Sequence, residues 1–298
     1  YMIWKQSTSE YDAARLSEEI KLISRNSAKL LVQTEGTRDL LVAEGVEPSK
    51  IIILPPMIPD GEEVSTFKNR ANRLIYTGQI KYAYNSLEMI EAMSEIAKKV
   101  GDAHLDFVGN KISRAGASQE YIDETLDKLK NSRFVTWHAG MGRKDTMRMI
   151  GKADLGLVWR NEELNSVPEI STKMLEYGIM GKPIIANRNP MNEFVLGKDY
   201  PLFANDRDEF IAKVVRALTD PSLYSSAAKT CSEASKRFTF SMIGRDLIPK
   251  MLISIDKKDA LSPVGSERFD VGVELRRIDR AIYEISLLLN ESDGEDRV

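Results

Sequence analysis

Apolar residues recur along this chain in two alternating rhythms. Short apolar runs, Leu74-Ile-Tyr-Thr77, Leu105-Asp-Phe-Val108, Phe134-Val-Thr-Trp137, Leu155-Gly-Leu-Val-Trp159 and Pro183-Ile-Ile-Ala186, alternate with longer stretches whose apolar residues return every three or four positions. The first kind suits buried strands and the second amphipathic helices. Leu87, Ile90, Met93, Ala97 and Val100 form the stripe of a helix over 86–100. Further helices are expected over 120–130, 144–151, 172–180 and 207–218, with a short strand over 202–204. Repeated strand-then-helix order predicts an α/β fold with a doubly wound, parallel, Rossmann-like sheet and helices on both faces. Ligands on such sheets bind beyond the carboxyl ends of the strands, so the loops after Thr77, Val108, Trp137, Trp159 and Ala186 bound the expected site.

Ahead of this region, a helix over 11–27, a strand over 29–34, a short helix over 37–44 closed by Gly45 and a strand over 51–54 stopped by Pro55 and Pro56 read as one βαβ unit. Two strands and two helices are too few to cover both faces of a parallel sheet. Residues 57–72, rich in Pro, Gly and charge, read as a linker. Beyond Pro221, helices are expected over 222–237, 241–255 and 268–289, before an acidic tail, 290–298, expected to be disordered. The chain thus divides into a partial first domain (1–60), a sheet domain (61–240), C-terminal helices (241–289) and a tail.

Composition narrows the function classes. The 298 residues suffice for roughly two domains. Lys plus Arg is 42 against 45 Asp plus Glu, a net charge of −3 that gives no drive towards nucleic acid. One cysteine, Cys231, cannot form an internal disulfide, which fits a reducing, cytoplasmic setting. No apolar run approaches the roughly 18 residues of a membrane span, and a first residue of Tyr1 instead of Met fits a fragment.

The richest chemistry lies in 167–186, where a polar loop, a short helix and a buried strand follow in immediate succession. Ser171 or Thr172 is placed to cap the helix, Met174, Leu175, Ile179 and Met180 form its apolar stripe, and Gly181 ends it. A helix start reached by small hydroxyl residues suits phosphate, because free N–H groups and the positive dipole end meet the ligand. Glu176 falls about one turn inside, where two oxygens can accept from a vicinal diol. A nucleoside diphosphate is therefore the first ligand to consider. Glu176 alone also reads as a carboxylate favoured by the dipole. Lys173, Lys81 and Arg160 individually read as solvated surface charges, and their common loop position is what raises them. Gly78 and Gly140 suit turn geometry as readily as close approach of a nucleotide. His138, a lone histidine at a strand end, is more often structural.

The segments Arg73-Leu-Ile-Tyr-Thr-Gly-Gln79, Leu105-Asp-Phe-Val-Gly109, Val135-Thr-Trp-His-Ala-Gly140, Ala153-Asp-Leu-Gly-Leu-Val158 and Lys173-Met-Leu-Glu-Tyr-Gly-Ile-Met-Gly-Lys-Pro-Ile-Ile-Ala186 stand in an order that resembles the donor-binding half of GT-B glycosyltransferases, most closely family 4, a retaining group. The similarity covers about 28–256. It implies that Glu176 holds the nucleotide ribose, that Glu169, Ile170, Ser171, Thr172 and Lys173 meet the sugar and diphosphate, and that Trp137, His138, Gly140 and Met141 meet the base largely through backbone. Gly78 and Gln79 would approach the phosphates. Three positions depart from the family. Pro168 stands at its first glutamate, leaving Glu169 as the candidate catalytic carboxylate. Gln79 stands where the family has an arginine, and the family's lysine a few residues later falls near Tyr84 here, so Lys81 or Arg160 would supply the phosphate charge. The resemblance implies a nucleotide-diphosphate sugar as donor substrate, a saccharide or lipid-linked acceptor, no cofactor and no metal. No Asp-x-Asp pair lies in a site-facing loop. It also implies that most of the acceptor domain lies outside this chain, with 241–255 crossing back to it. A non-catalytic sugar-nucleotide module, self-associating or needing a separate acceptor-domain partner, is the alternative, and a place at the inner face of a membrane fits relatives that build polysaccharide.

Overall fold

Helix α1 (Glu10–Asn26) leads into strand β1 (Leu30–Val32), helix α2 (Glu35–Ala43) and strand β2 (Ile51–Ile53) in the computed structural model, which describes residues 10–60, 71–245 and 247. β1 and β2 pair in parallel, Leu30 beside Ile51, giving the expected βαβ unit. Thr34 starts α2 by accepting from the Thr37 N–H at 3.2 Å.

The strands β3 (Arg73–Thr77), β4 (His104–Val108), β5 (Val135–His138), β6 (Leu155–Val158) and β7 (Ile184–Ala186) form one parallel sheet in the order β5-β4-β3-β6-β7. Between and after them run α3 (Ser86–Lys99), α4 (Gln119–Asn131), α5 (Arg143–Lys152), α6 (Thr172–Ile179), α7 (Pro190–Leu196), α8 (Arg207–Thr219) and α9 (Pro221–Lys236). The chain winds outward from β3 to β5 and then returns to β3's other side as β6, which places the topological switch point between β3 and β6. Thr77 lies beside Val108 and Val108 beside His138, so the carboxyl ends of β3, β4 and β5 are level. Every residue of β6 and β7 is buried, as strands covered on both faces require.

Helix α6 is fixed from two sides. The Tyr177 ring lies flat against Gly156 of β6, where an added Cβ would come within 2.7 Å of its Cγ. On the other side Gly178 meets α9, and an added Cβ there would stand 2.5 Å from the Cys231 carbonyl oxygen and overlap Ser235 Oγ.

Three features differ from expectation. Residues 202–204 form a single bridge of Phe203 to Ala186 and not a strand, because only Ala204 N–H to Ala186 O (2.8 Å) and Ala186 N–H to Leu202 O (3.4 Å) are made. α7 is added, opened by Asn189 accepting from Asn192 N–H at 2.7 Å and by Pro190 in its first turn. Single 3₁₀ turns occur at Tyr82–Tyr84 and Glu162–Leu164. Ile58 pairs with 238–240 through two 2.9 Å backbone bonds, and a helix begins at Phe240. Residues 61–70 of the linker, the helix over 268–289 and the tail lie outside the described residues. Among those described, no helix is long and apolar enough to cross a membrane.

Gly178→Ala forces a methyl group into backbone and should destabilise the protein by about 1–3 kcal/mol, read as a lower urea midpoint at unchanged slope.

Candidate functional site

A cleft of ≈ 350 Å³ opens beside the switch point, walled by the loops that follow β3, β4 and β5 and by the first turn of α6. Its floor is Gly78 against Gly109, both at φ +149°. A Cβ on Gly109 would run into the Gly78 carbonyl, so these loops meet only as glycines. Gln79, Gly140, Met141, Thr172, Lys173 and Glu176 line the cleft together with Asn110, Lys111 and Thr146.

The wall formed by α6 is tied to the floor by one side chain. Tyr177 Oη accepts from the Thr77 N–H at 2.8 Å and lies 2.9 Å from Thr77 Oγ1, immediately before Gly78. Burial holds this phenol above its ordinary pKa, so it remains a neutral hydroxyl.

Cations gather where α6 begins. Lys173 Nζ lies 4.4 Å from the Tyr76 ring centroid and 4.7 Å from that of Tyr84. The Arg160 guanidinium and Lys81 Nζ each lie 5.0 Å from the same Tyr84 ring. The loop carrying Arg160 is drawn to this turn by Asn161 N–H, which donates to Ala83 O at 3.1 Å. Lys173 is pushed down to about 7, first by burial and then by the charge of Arg160, against the pull of Glu169 and Glu176. Arg160 has a carboxylate oxygen, that of Glu169, at 4.0 Å, while its Nε is buried without a hydrogen-bond partner.

Ser171 does not cap α6. Its hydroxyl accepts from none of the first-turn amides. Ser171 Oγ is instead buried and unpartnered. The first amides of α6 and two buried polar groups therefore face the same need, an external hydrogen-bonding partner.

Glu176 Oε1 lies 2.9 Å from Arg143 Nη1 at the start of α5. Burial raises the carboxyl above its ordinary pKa, and Arg143 and then Lys173 oppose that rise.

Other expected residues lie elsewhere. Ile170 is 3% exposed and belongs to the core, which leaves only its backbone near the cleft. Trp137 Nε1 donates to Gly109 O at 2.7 Å, and His138 Nε2 lies 2.9 Å from the buried Asp106, which also takes Arg73 Nη2 at 2.6 Å. These bonds make Trp137 and His138 braces of the loops, with neither lining the cleft. Glu169 is half-exposed beside Arg160 and does not line it either. Pro168 presents its carbonyl to Thr34 Oγ1 at 2.8 Å, so the loop is held by the cap of α2. Sequence reasoning missed Tyr76, Tyr84, Arg143 and Tyr177. Aromatic residues beside Lys81 were a usable signal for Tyr84, whereas nothing local marked Arg143. Among the described residues, no group of three His, Cys, Asp or Glu is placed to hold a metal ion.

A doubly wound parallel sheet with a cleft and a helix start beside its switch point defines the class of α/β proteins whose clefts lie beyond the strands' carboxyl ends. The family model for group 1 glycosyl transferases matches residues 71–220, and the chain belongs to that family. The fold is that of GT-B enzymes. HepE from Anabaena, solved with UDP and glucose, superposes with a TM-score of 0.66 at 12% identity over 85% of this chain and 70% of its own. TarM from S. aureus, solved with UDP, fondaparinux and α-GlcNAc-glycerol, gives 0.59 at 13% over 79% and 45%. A UDP-forming α,α-trehalose-phosphate synthase from Burkholderia xenovorans gives 0.60 at 14% over 81% and 64%. No curated protein matches the sequence.

Tyr177→Phe leaves the Thr77 N–H buried without its acceptor. It should cost about 1–3 kcal/mol of stability in urea and speed hydrogen exchange at the Thr77 amide.

Proposed function

We propose that the chain carries the donor half of a retaining glycosyltransferase, spanning about residues 61–240, that takes a sugar from a nucleoside-diphosphate sugar, with uridine diphosphate the first candidate. The observation that carries this reading is the set Lys173, Arg160 and Lys81 around Tyr84 at the start of α6, with Glu176 one turn further in. The order along the chain, cations at the helix start and then a carboxylate, suits one diphosphate followed by one ribose. Family membership supplies the reaction class, and the nucleotide named for HepE and TarM suggests the base.

In transfer, the bond from the anomeric carbon to the diphosphate oxygen breaks as the acceptor oxygen bonds to the same face of that carbon, and the acceptor hydroxyl's proton passes to the departing diphosphate. The leaving diphosphate gains negative charge. Fixed cations and the α6 amides meet that charge without rearranging, which is the most effective way to stabilise it. Lys173 would become fully charged in the complex, since burial and then Arg160 leave its ammonium only partly populated near pH 7 in the free protein. The reaction is proposed to need no metal, and activity of the full-length enzyme should persist in a chelator without gain from manganese. The acceptor is a saccharide or a lipid-linked saccharide, the latter placing the enzyme at a membrane face.

A second reading, a binding module that depends on a separate acceptor-domain partner, is favoured by Pro168, whose side chain offers no carboxylate and whose carbonyl is taken by Thr34. Calorimetry with uridine and guanosine diphosphates, followed by a donor-hydrolysis assay, separates enzyme from module. Failure of the folded protein to bind any nucleoside diphosphate sinks both.

Lys173 also sets a pH dependence. Its folded pKa of about 7 means that an anion must recruit a proton above that pH. Affinity should fall by up to about tenfold per pH unit above 7, with proton uptake visible in buffers of different ionisation enthalpy. Lys173→Met should weaken binding at pH 7 and flatten this dependence.

A further inference from the structure

Glu176 faces the cleft with one of its two oxygens already engaged. The contact is unequal: the Glu176 side chain is 16% exposed and that of Arg143 is 55% exposed, with 2.9 Å between Oε1 and Nη1. Arg143 is the first residue of α5, directly after the loop that carries Gly140 and Met141, so it reaches Glu176 from the opposite wall. The charged groups acting on this carboxyl are Arg143 from α5 and Lys173 from α6 itself. Lys173 is turned towards the Tyr76 and Tyr84 rings, which leaves Arg143 as the hydrogen-bonded cation.

A diol is recognised by a carboxylate acting as acceptor only, and that requires the ionised form. Burial works against ionisation, and one charge-assisted hydrogen bond works for it. An ionised carboxylate offers about four lone-pair sites, so one guanidinium N–H on Oε1 leaves room for two hydroxyl groups. The arginine therefore does not have to leave when a ribose arrives.

We infer that Arg143 is a positioning residue, holding Glu176 ionised and turned into the cleft, and that the site's preference for a ribose over a deoxyribose depends on it. This rests on the reading of Glu176 as the ribose acceptor. Arg143 itself needs no contact with the nucleotide.

The test compares the wild-type full chain with Arg143→Ala and Arg143→Lys. Calorimetry uses uridine diphosphate, its 2′-deoxy analogue and inorganic pyrophosphate between pH 3.5 and pH 8, a range that spans the ordinary glutamate value of about 4.3 and the region above it. Carbon NMR of the Glu176 carboxyl is followed in the ligand-free proteins. Arg143→Ala should weaken uridine diphosphate roughly tenfold, bring the two nucleotides to similar affinity and leave pyrophosphate unchanged. Removing the cation raises the carboxyl's pKa, so the loss of ribonucleotide affinity on acidification should begin at a higher pH, and the NMR midpoint should move up with it. Arg143→Lys should recover part of both. An unchanged NMR midpoint overturns the inference. So does tighter binding by Arg143→Ala, which would make the arginine a competitor of the ribose, or a parallel loss of pyrophosphate affinity, which would make it a phosphate ligand. If the wild type binds no nucleoside diphosphate, the functional reading fails, and the ribose part of this inference with it. The NMR arm still decides whether Arg143 holds Glu176 ionised.

Discussion

The Tyr177 hydroxyl is the constraint on which the site's shape depends. It joins α6 to the end of β3 by accepting from the Thr77 N–H, one residue before the loop that forms the cleft floor. The bond is possible only because β6 carries Gly156 where the ring must lie and α6 carries Gly178 where α9 must approach. Two small residues thus let one large side chain span the gap between a helix and a strand two positions along the fold. In a dry interior the paired phenol is held firmly, since the alternative is an unpaired buried N–H. The start of α6, with Thr172 and Lys173, and Glu176 one turn further in, inherits its position from this bond.

Charge at the cleft follows a different logic from charge in the rest of the chain. Away from the cleft, Arg73 is satisfied by Asp106. Lys173 and Lys81 are set over aromatic rings, and Arg160 has only a distant carboxylate. A ring face contributes about 0.5–2 kcal/mol to a cation and adds no negative charge. Burial first, and then the charge of Arg160, lower the pKa of Lys173. In the proposed reading a diphosphate supplies what the tyrosines do not. The overall charge of −3 has little bearing on such a site, because the field inside a cleft is set by the groups that wall it.

The strand-helix alternation was legible because each element carries its own period. The helix expected over 86–100 and the one observed over Ser86–Lys99 differ by a single residue, since its stripe returns every turn. α7 escaped because seven residues hold barely two turns, too short for a period to stand out, although Asn189 and Pro190 are a usable start signal. Of the candidate site, Gly78, Gln79, Gly140, Met141, Thr172, Lys173 and Glu176 do meet in one cleft. Strand ends are fixed by topology, and loop residues next to them must come together. Side-chain direction was not legible. His138 and Trp137 sit at such an end and turn to Asp106 and to the Gly109 carbonyl, in keeping with the structural reading of His138, but those partners, contributed by the neighbouring strand and the loop that follows it, are not named by any local pattern. Arg143 met Glu176 across more than thirty residues of chain, a pairing no local pattern encodes.

The loop before α6 shows how the two parts of the chain bear on each other. Thr34 Oγ1 accepts from the Thr37 N–H and donates to the Pro168 carbonyl, using both capacities of one hydroxyl. Capping α2 and holding the loop are therefore a single interaction. Gly36 leaves the space for this contact, since a Cβ there would stand 2.9 Å from Pro168 Cβ. Proline at 168 contributes no carboxylate, and the backbone group it retains is the one Thr34 engages. The same loop continues through Glu169 beside Arg160 to Ser171, whose hydroxyl stays buried and unpartnered. A shift of α2 would be felt first at Pro168 and, three residues on, at the start of α6. The geometry of the corner where α6 begins is thereby tied to the unit that precedes the sheet as well as to the sheet itself.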